Sequence, residues 1–151
     1  MNSATRSTFQ FVVMAATLGS VMGCSARFKQ QWNNVTPSPA STETLAGRWE
    51  GRWLSDKNGH HGKLRCFVTQ TGADEYQFHY WARFWKIFTA TYKITVATEM
   101  SDGELRFRGS QNLGLLYGGV YSHEGKVTDG TLSATYRCKI DHGTFDMQKL
   151  D

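Results

Sequence analysis

From residue 45 onward the chain alternates apolar and polar side chains with a period of two, interrupted by turn signals every ten or so residues. That is the pattern of short antiparallel strands with one face buried. The first run sets Trp49, Gly51 and Trp53 against Arg48, Glu50 and Arg52, and ends at Asn58-Gly59, a strong hairpin signal. The second places Leu64, Cys66 and Val68 inward. The third sets Tyr76, Phe78, Tyr80, Ala82 and Phe84 on one face, with Gln77, His79, Trp81, Arg83 and Trp85 on the other. Tyr92, Ile94 and Val96 continue the inward face in a fourth strand. Asp102-Gly103 leads to a fifth, with Leu105 and Phe107 opposed to Arg106 and Arg108. The glycine-rich bend Gly114–Gly119 precedes a sixth strand, Val120 to Val127. A seventh follows Asp129-Gly130, where Leu132, Ala134, Tyr136, Cys138 and Ile140 alternate, and a last strand carries Phe145 and Met147. The pattern predicts an all-β domain over residues 45–151: about eight antiparallel strands in a small up-and-down barrel.

A barrel of eight strands either fills its interior with its own side chains or keeps room for one ligand. The size of the inward Trp49, Trp53, Phe78, Tyr80, Phe84, Tyr92 and Tyr136 argues for filling. On the outer face Trp81, Arg83 and Trp85 form an aromatic and cationic strip expected to meet a partner.

The start of the chain has a different pattern. Arg6 and the amino terminus give a short positive region, Phe9–Leu18 an apolar core, and Val21-Met22-Gly23-Cys24 a small-residue ending. A membrane span needs about 20 apolar residues, so this shorter stretch reads as a secretory signal. Its ending resembles the lipobox of bacterial lipoproteins. The resemblance implies cleavage after Gly23, acylation of Cys24, and anchoring through two or three acyl chains. It places the protein in the cell envelope, exported, facing the periplasm, with Ser25 similar to the outer-membrane rather than the inner-membrane class. Ser25 to Thr44 is polar and holds Pro37 and Pro39, which predicts a flexible tether, with Phe28 and Trp32 free to touch the membrane interface. Three parts follow: a signal helix over 1–23, a lipidated cysteine and linker over 24–44, and the barrel over 45–151.

Composition narrows the function. Seventeen Lys and Arg stand against thirteen Asp and Glu, a net charge of +4 to which Arg6 contributes one. The excess is scattered, which together with an envelope address excludes nucleic acid. Beyond Cys24, Cys66 and Cys138 are either a disulfide pair, in an oxidising compartment, or two buried thiols. His60 and His61, with His142 or Asp141 as a third ligand, are the candidates for metal. Adjacent strand residues point to opposite faces and no local zinc spacing is present, so no metal or cofactor is implied. His123 reads as one more polar residue on a turn or strand end. No nucleophile elbow or phosphate-cradling loop is present, and Glu50, Glu124 and Asp146 fall on solvent-facing positions, so the chain does not read as an enzyme.

Leu45-Ala46-Gly47-Arg48-Trp49 resembles the opening of lipocalin-type and avidin-type barrels, where Gly-X-Trp begins the first strand and the Trp plugs one end. A late basic residue packs on that Trp in lipocalins, a role that the resemblance offers to Arg137 or Lys149. With the lipobox, the whole chain is similar to bacterial envelope lipoproteins carrying a small calycin-type barrel. The reading preferred from sequence is a membrane-anchored structural or protein-interaction module. A barrel binding a small apolar ligand comes second, and a metal-dependent enzyme using the histidines a remote third.

Overall fold

The structure, a computed structural model, describes residues 24–36, 44–85, 87–115 and 118–150. The signal segment, residues 1–23, and residues 37–43 of the linker lie outside the described residues. Eight strands follow one another: β1 (Gly47–Ser55), β2 (His61–Gln70), β3 (Glu75–Phe84), β4 (Phe88–Ser101), β5 (Glu104–Asn112), β6 (Val120–Thr128), β7 (Thr131–Arg137) and β8 (His142–Leu150). Each pairs antiparallel with the next, and β1 pairs with β8, so the sheet closes into an up-and-down barrel.

The two-residue alternation sets the inside. Along β3, Tyr76, Phe78, Tyr80 and Ala82 are buried while the residues between them are more exposed, and β8 repeats this with Phe145 and Met147. Two of the connections are two-residue hairpins, Asp102-Gly103 and Asp129-Gly130, with all four residues at positive φ. That geometry matches the right-handed twist of the strands they join, and Asp and Gly tolerate it. β7 is shorter than its alternation suggested. It ends at Arg137, and Cys138–Asp141 forms a turn that leaves Ile140 exposed rather than inward.

One end of the barrel is plugged. Trp49 is fully buried there, its indole N–H donates to the Leu45 carbonyl at 2.9 Å, and Leu45 is itself fully buried. Lys149 lies over the Trp49 ring at 5.6 Å and donates to the Thr44 carbonyl at 3.0 Å. Of the two basic residues considered for Trp49, Lys149 takes the place and Arg137, at the opposite end, does not.

Residues 24–34 form a helix, α1, rather than an extended tether. Phe28 and Trp32, four residues apart, share one helical face despite the Gln- and Asn-rich composition, and Val35 just past the helix end joins them. Phe28 and Trp32 are buried against Phe67 on the outer wall of the barrel, with Trp81 and Leu150 packed alongside. They are therefore occupied by protein and not held for a membrane interface. Arg48 and Arg65 flank the Trp32 ring at 5.8 and 5.5 Å. Such contacts contribute about 0.5–1 kcal/mol each when exposed.

Candidate functional site at the open end

The end opposite Trp49 is hollow. The described residues of the connections that follow β1, β3, β5 and β7 surround its mouth. Beneath them lies a cavity of about 480 Å³, lined by Trp53, Leu64, Phe84, Tyr92, Tyr121, Tyr136 and Phe145 among others. Space is left where Ala82 and Ala90 face each other in the register of β3 and β4, two short side chains in the lining, whereas the place of a Cβ at Gly51 is taken by the β8 backbone at the Asp146 carbonyl oxygen. Gly62 is required for a different reason. A Cβ there would lie 2.7 Å from the Trp53 indole nitrogen, whose N–H donates to the Arg83 carbonyl at 3.0 Å.

The seven aromatic residues singled out from sequence therefore divide. Trp49, Phe78 and Tyr80 fill the closed half, completely buried. Trp53, Phe84, Tyr92 and Tyr136 line the cavity, so the interior is filled in one half and not in the other.

Polar groups around the cavity are few. Asp141 is the one carboxylate among the described residues of its lining. Ser55 donates to its Oδ1 at 2.6 Å, Tyr136 to its Oδ2 at 3.0 Å, and the backbone N–H of His142 to Oδ1 at 2.9 Å. Burial, then the bond to Asp141, raises the Tyr136 phenol above its ordinary range. Burial likewise raises the phenols of Tyr80, Tyr92 and Tyr121, so all four rings are neutral hydroxyl bearers at physiological pH.

His123 sits below the cavity and not on a turn. Its strand, β6, carries Tyr121, His123, Gly125 and Val127 inward, an alternation that the sequence already contains. The imidazole is enclosed by the rings of Tyr80, Tyr121 and Phe145. Nδ1 is 3.3 Å from the Tyr80 hydroxyl, and Nε2 has no partner among the described residues. Burial depresses its pKa to about 3, so it is neutral at pH 7.

The remaining sequence candidates do not join this site as a group. His60 and His61 are exposed in the first connection and at the start of β2, and His142 is exposed at the start of β8. Among the described residues, no three His, Cys, Asp or Glu side chains converge as metal ligands. Cys66 and Cys138 are both free thiols, correcting the disulfide alternative. Cys66 is fully buried between Trp49 and Tyr80 in the register of β1, β2 and β3, where burial raises its pKa. Cys138 lines the mouth, next to Gly118. Cys24 is exposed at the start of α1.

The expected strip Trp81, Arg83 and Trp85 is not one surface. Trp81 packs with the α1 cluster, and the Arg83 guanidinium lies 5.3 Å over its ring. Trp85 leaves the strand with φ 45°, is 69% exposed, and contributes to the lining of the cavity. A wider depression of about 660 Å³ on the outer wall is lined by Arg106, Arg108 and Lys126 against Glu99, Glu124 and Asp146. Glu104 beside it is already engaged by Arg106 and Lys126, which makes this a solvent-facing groove of mixed charge.

No protein-family model matches the chain, and no curated protein matches it in sequence. Two solved structures share the fold. A de novo designed fluorescence-activating β-barrel superposes with a TM-score of 0.52 at 12% identity, over 75% of this chain and all of that one. Rv2717c from M. tuberculosis superposes with a TM-score of 0.52 at 11% identity, over 77% of this chain and all of that one. At such identities the likeness is one of fold.

Proposed function

We propose that the protein is a lipid-anchored envelope barrel that holds one small, flat, largely apolar ligand in its open end. The cavity carries this reading. Its volume of about 480 Å³ falls in the range of ligand sites, about 300–1,000 Å³, which are mostly apolar with a few placed polar groups. Here Trp53, Phe84, Tyr92, Tyr121 and Phe145 would grip a planar ring system, and the Tyr136–Asp141 pair would fix its polar edge. The interaction-module reading preferred from sequence loses its main support, because Trp81 is covered by α1 and Trp85 borders the cavity.

The anchor half of the proposal rests on the lipobox-like Val21–Cys24, which supports acylation of Cys24, export and the outer-membrane address. The calycin-type relationship is supported by Leu45–Trp49 heading β1, and by Lys149 laid on Trp49.

Native mass spectrometry of the full chain purified from its own envelope tests the ligand reading. The expected result is a one-to-one adduct of a small organic molecule, or uptake of a single 1-naphthol when the bare chain is incubated with excess. A chain that stays bare before and after incubation overturns it. Incorporation of labelled palmitate, abolished in Cys24→Ser, tests the anchor.

A further inference from the structure

Exposed apolar side chains gather at one end of the barrel. Of the eight large ones among the described residues, all but Met100 sit on strand ends or connections around the mouth, with Ile87 and Leu115 barest at 76% and 95% exposure. Clusters of this kind mark contact surfaces, since scattered single residues are the norm elsewhere.

Charge is divided along the same axis. The three connections at the plugged end carry Asp74, Asp102 and Asp129 and no basic residue. Around the mouth Lys57 and Lys139 are exposed. Of the two acids there, Asp141 already accepts from Ser55, Tyr136 and the His142 backbone, leaving Asp56.

The chain also enters the structure at this end. The Ser25 hydroxyl lies 2.8 Å from that of Thr89, and Thr89 lines the cavity. Cys24, the attachment point to a membrane in the proposed function, is its neighbour. The apolar stretch Phe9–Leu18 precedes it in the chain.

From these three observations we infer that the mouth seats on a lipid bilayer, so that the cavity opens toward the membrane. Apolar rim residues would enter the headgroup boundary, and Lys57 and Lys139 would meet anionic phosphates, while the acidic end points to water. α1, clamped to the outer wall by Phe28 and Trp32, fixes the short distance between anchor and rim and thereby the orientation. This inference rests on the anchor and ligand readings and sharpens the second. A cavity that opens onto lipid takes a ligand that partitions into the membrane, rather than a water-soluble metabolite.

The test reconstitutes the full chain into phosphatidylethanolamine–phosphatidylglycerol vesicles, with and without bromine on the acyl chains, which quenches nearby indoles. Vesicle-bound chain is expected to lose tryptophan emission to brominated lipid, and Trp85→Phe to remove at least half of that loss. Ile87→Asp with Leu115→Asp, at two exposed positions outside the cavity lining, should cut the quenching at least threefold while 1-naphthol uptake persists. Chain that floats with its vesicles but shows Trp85 unquenched overturns the inference alone. Chain that does not float overturns it together with the anchor reading. Self-association without lipid, abolished by the same two aspartates, assigns the rim to a second copy and overturns it as well. A quenched chain that takes up no 1-naphthol supports the docking and sinks only the ligand reading.

Discussion

The two ends of the barrel are made from the same eight strands, yet their inward positions are filled in opposite ways. At the plugged end the inward residues are large, Leu45, Trp49, Tyr76, Val96 and Leu132 among them, and all are buried. At the mouth the rings of Trp53, Phe84, Tyr92, Tyr121 and Phe145 stand around a space left beside Ala82 and Ala90, the connections lengthen, and apolar side chains face outward. Close packing is where core stability resides, because each methylene removed from it leaves a void as well as a lost transfer term. Concentrating that packing at one end lets the other remain hollow. An exposed apolar rim would be a liability on a freely soluble barrel, and it has a use if lipid covers it.

The comparison is broken most severely at Trp49. Trp49→Ala removes a fully buried indole, its bond to Leu45 and its contact with Lys149, and should cost about 3–5 kcal/mol. For a domain of this size that lowers the melting temperature by roughly 10 °C or more. Phe88→Ala on the rim, where the ring is 56% exposed, should cost under about 1 kcal/mol. Denaturant titration of the two variants is the check; equal losses would mean that the mouth is packed as tightly as the plug.

Acid acts on the layer between the two ends. His123 keeps a depressed pKa of about 3 in the folded chain, from burial, against 6.5 when exposed. Above pH 6.5 neither state is protonated there and stability is flat. Below it the unfolded chain binds a proton that the folded chain refuses, so stability falls as pH drops, until the folded group also titrates near 3. The slope is about 1.4 kcal/mol per pH unit, or roughly 2–3 kcal/mol between pH 6 and 4. His79, half buried beneath Phe28 and depressed to about 4 by burial and then by Lys93, adds a smaller dependence of the same sign. Replacing His123 by Phe should roughly halve the slope between pH 6 and 4, His79 carrying the remainder. An unchanged acid profile would show that His123 reaches solvent in the folded chain.

How much of this was legible in the sequence follows the range of the interactions. Strand alternation and Asp-Gly turns are local, so the eight strands and their inward faces can be read from neighbouring residues. The cavity cannot, because it depends on Ala82 and Ala90 falling opposite each other in two strands, a matter of register rather than of any one residue. His123 was readable in principle, two positions from Tyr121 and four from Val127 on one alternating strand. α1 was hidden by composition: only Phe28 and Trp32 carry its periodicity, and their burial needs Phe67 on an outer face that alternation would assign to solvent. The disulfide alternative came from cysteine count and compartment, neither of which contains the distance between two strands.

α1 gives the third prediction, at a site outside both ends. Phe28→Ala should release the helix instead of opening a void, so the loss is limited to docking, about 2 kcal/mol for one buried phenylalanine. Amide exchange should accelerate over residues 24–34 and remain slow in β1 to β8. A uniform acceleration through the strands would make the helix part of the cooperative core, and the barrel less self-sufficient than its closure suggests.

The smallest effect on stability should accompany the largest effect on binding. Ala90 lines the mouth opposite Ala82 in the β3–β4 register, where the cavity has room for a side chain. In the plugged half an added indole would force neighbours out of their rotamers at a cost of about 1–3 kcal/mol. At Ala90 the same indole finds empty apolar space, so Ala90→Trp should change stability by less than about 1 kcal/mol in either direction. It should nevertheless abolish 1-naphthol uptake measured by native mass spectrometry, because the new ring occupies the volume that the ligand needs. Strong destabilisation would show the mouth to be as filled as the plug. Undiminished uptake would move the ligand elsewhere on the barrel. Stability preserved with binding lost is the combination that only a hollow, ligand-sized mouth produces.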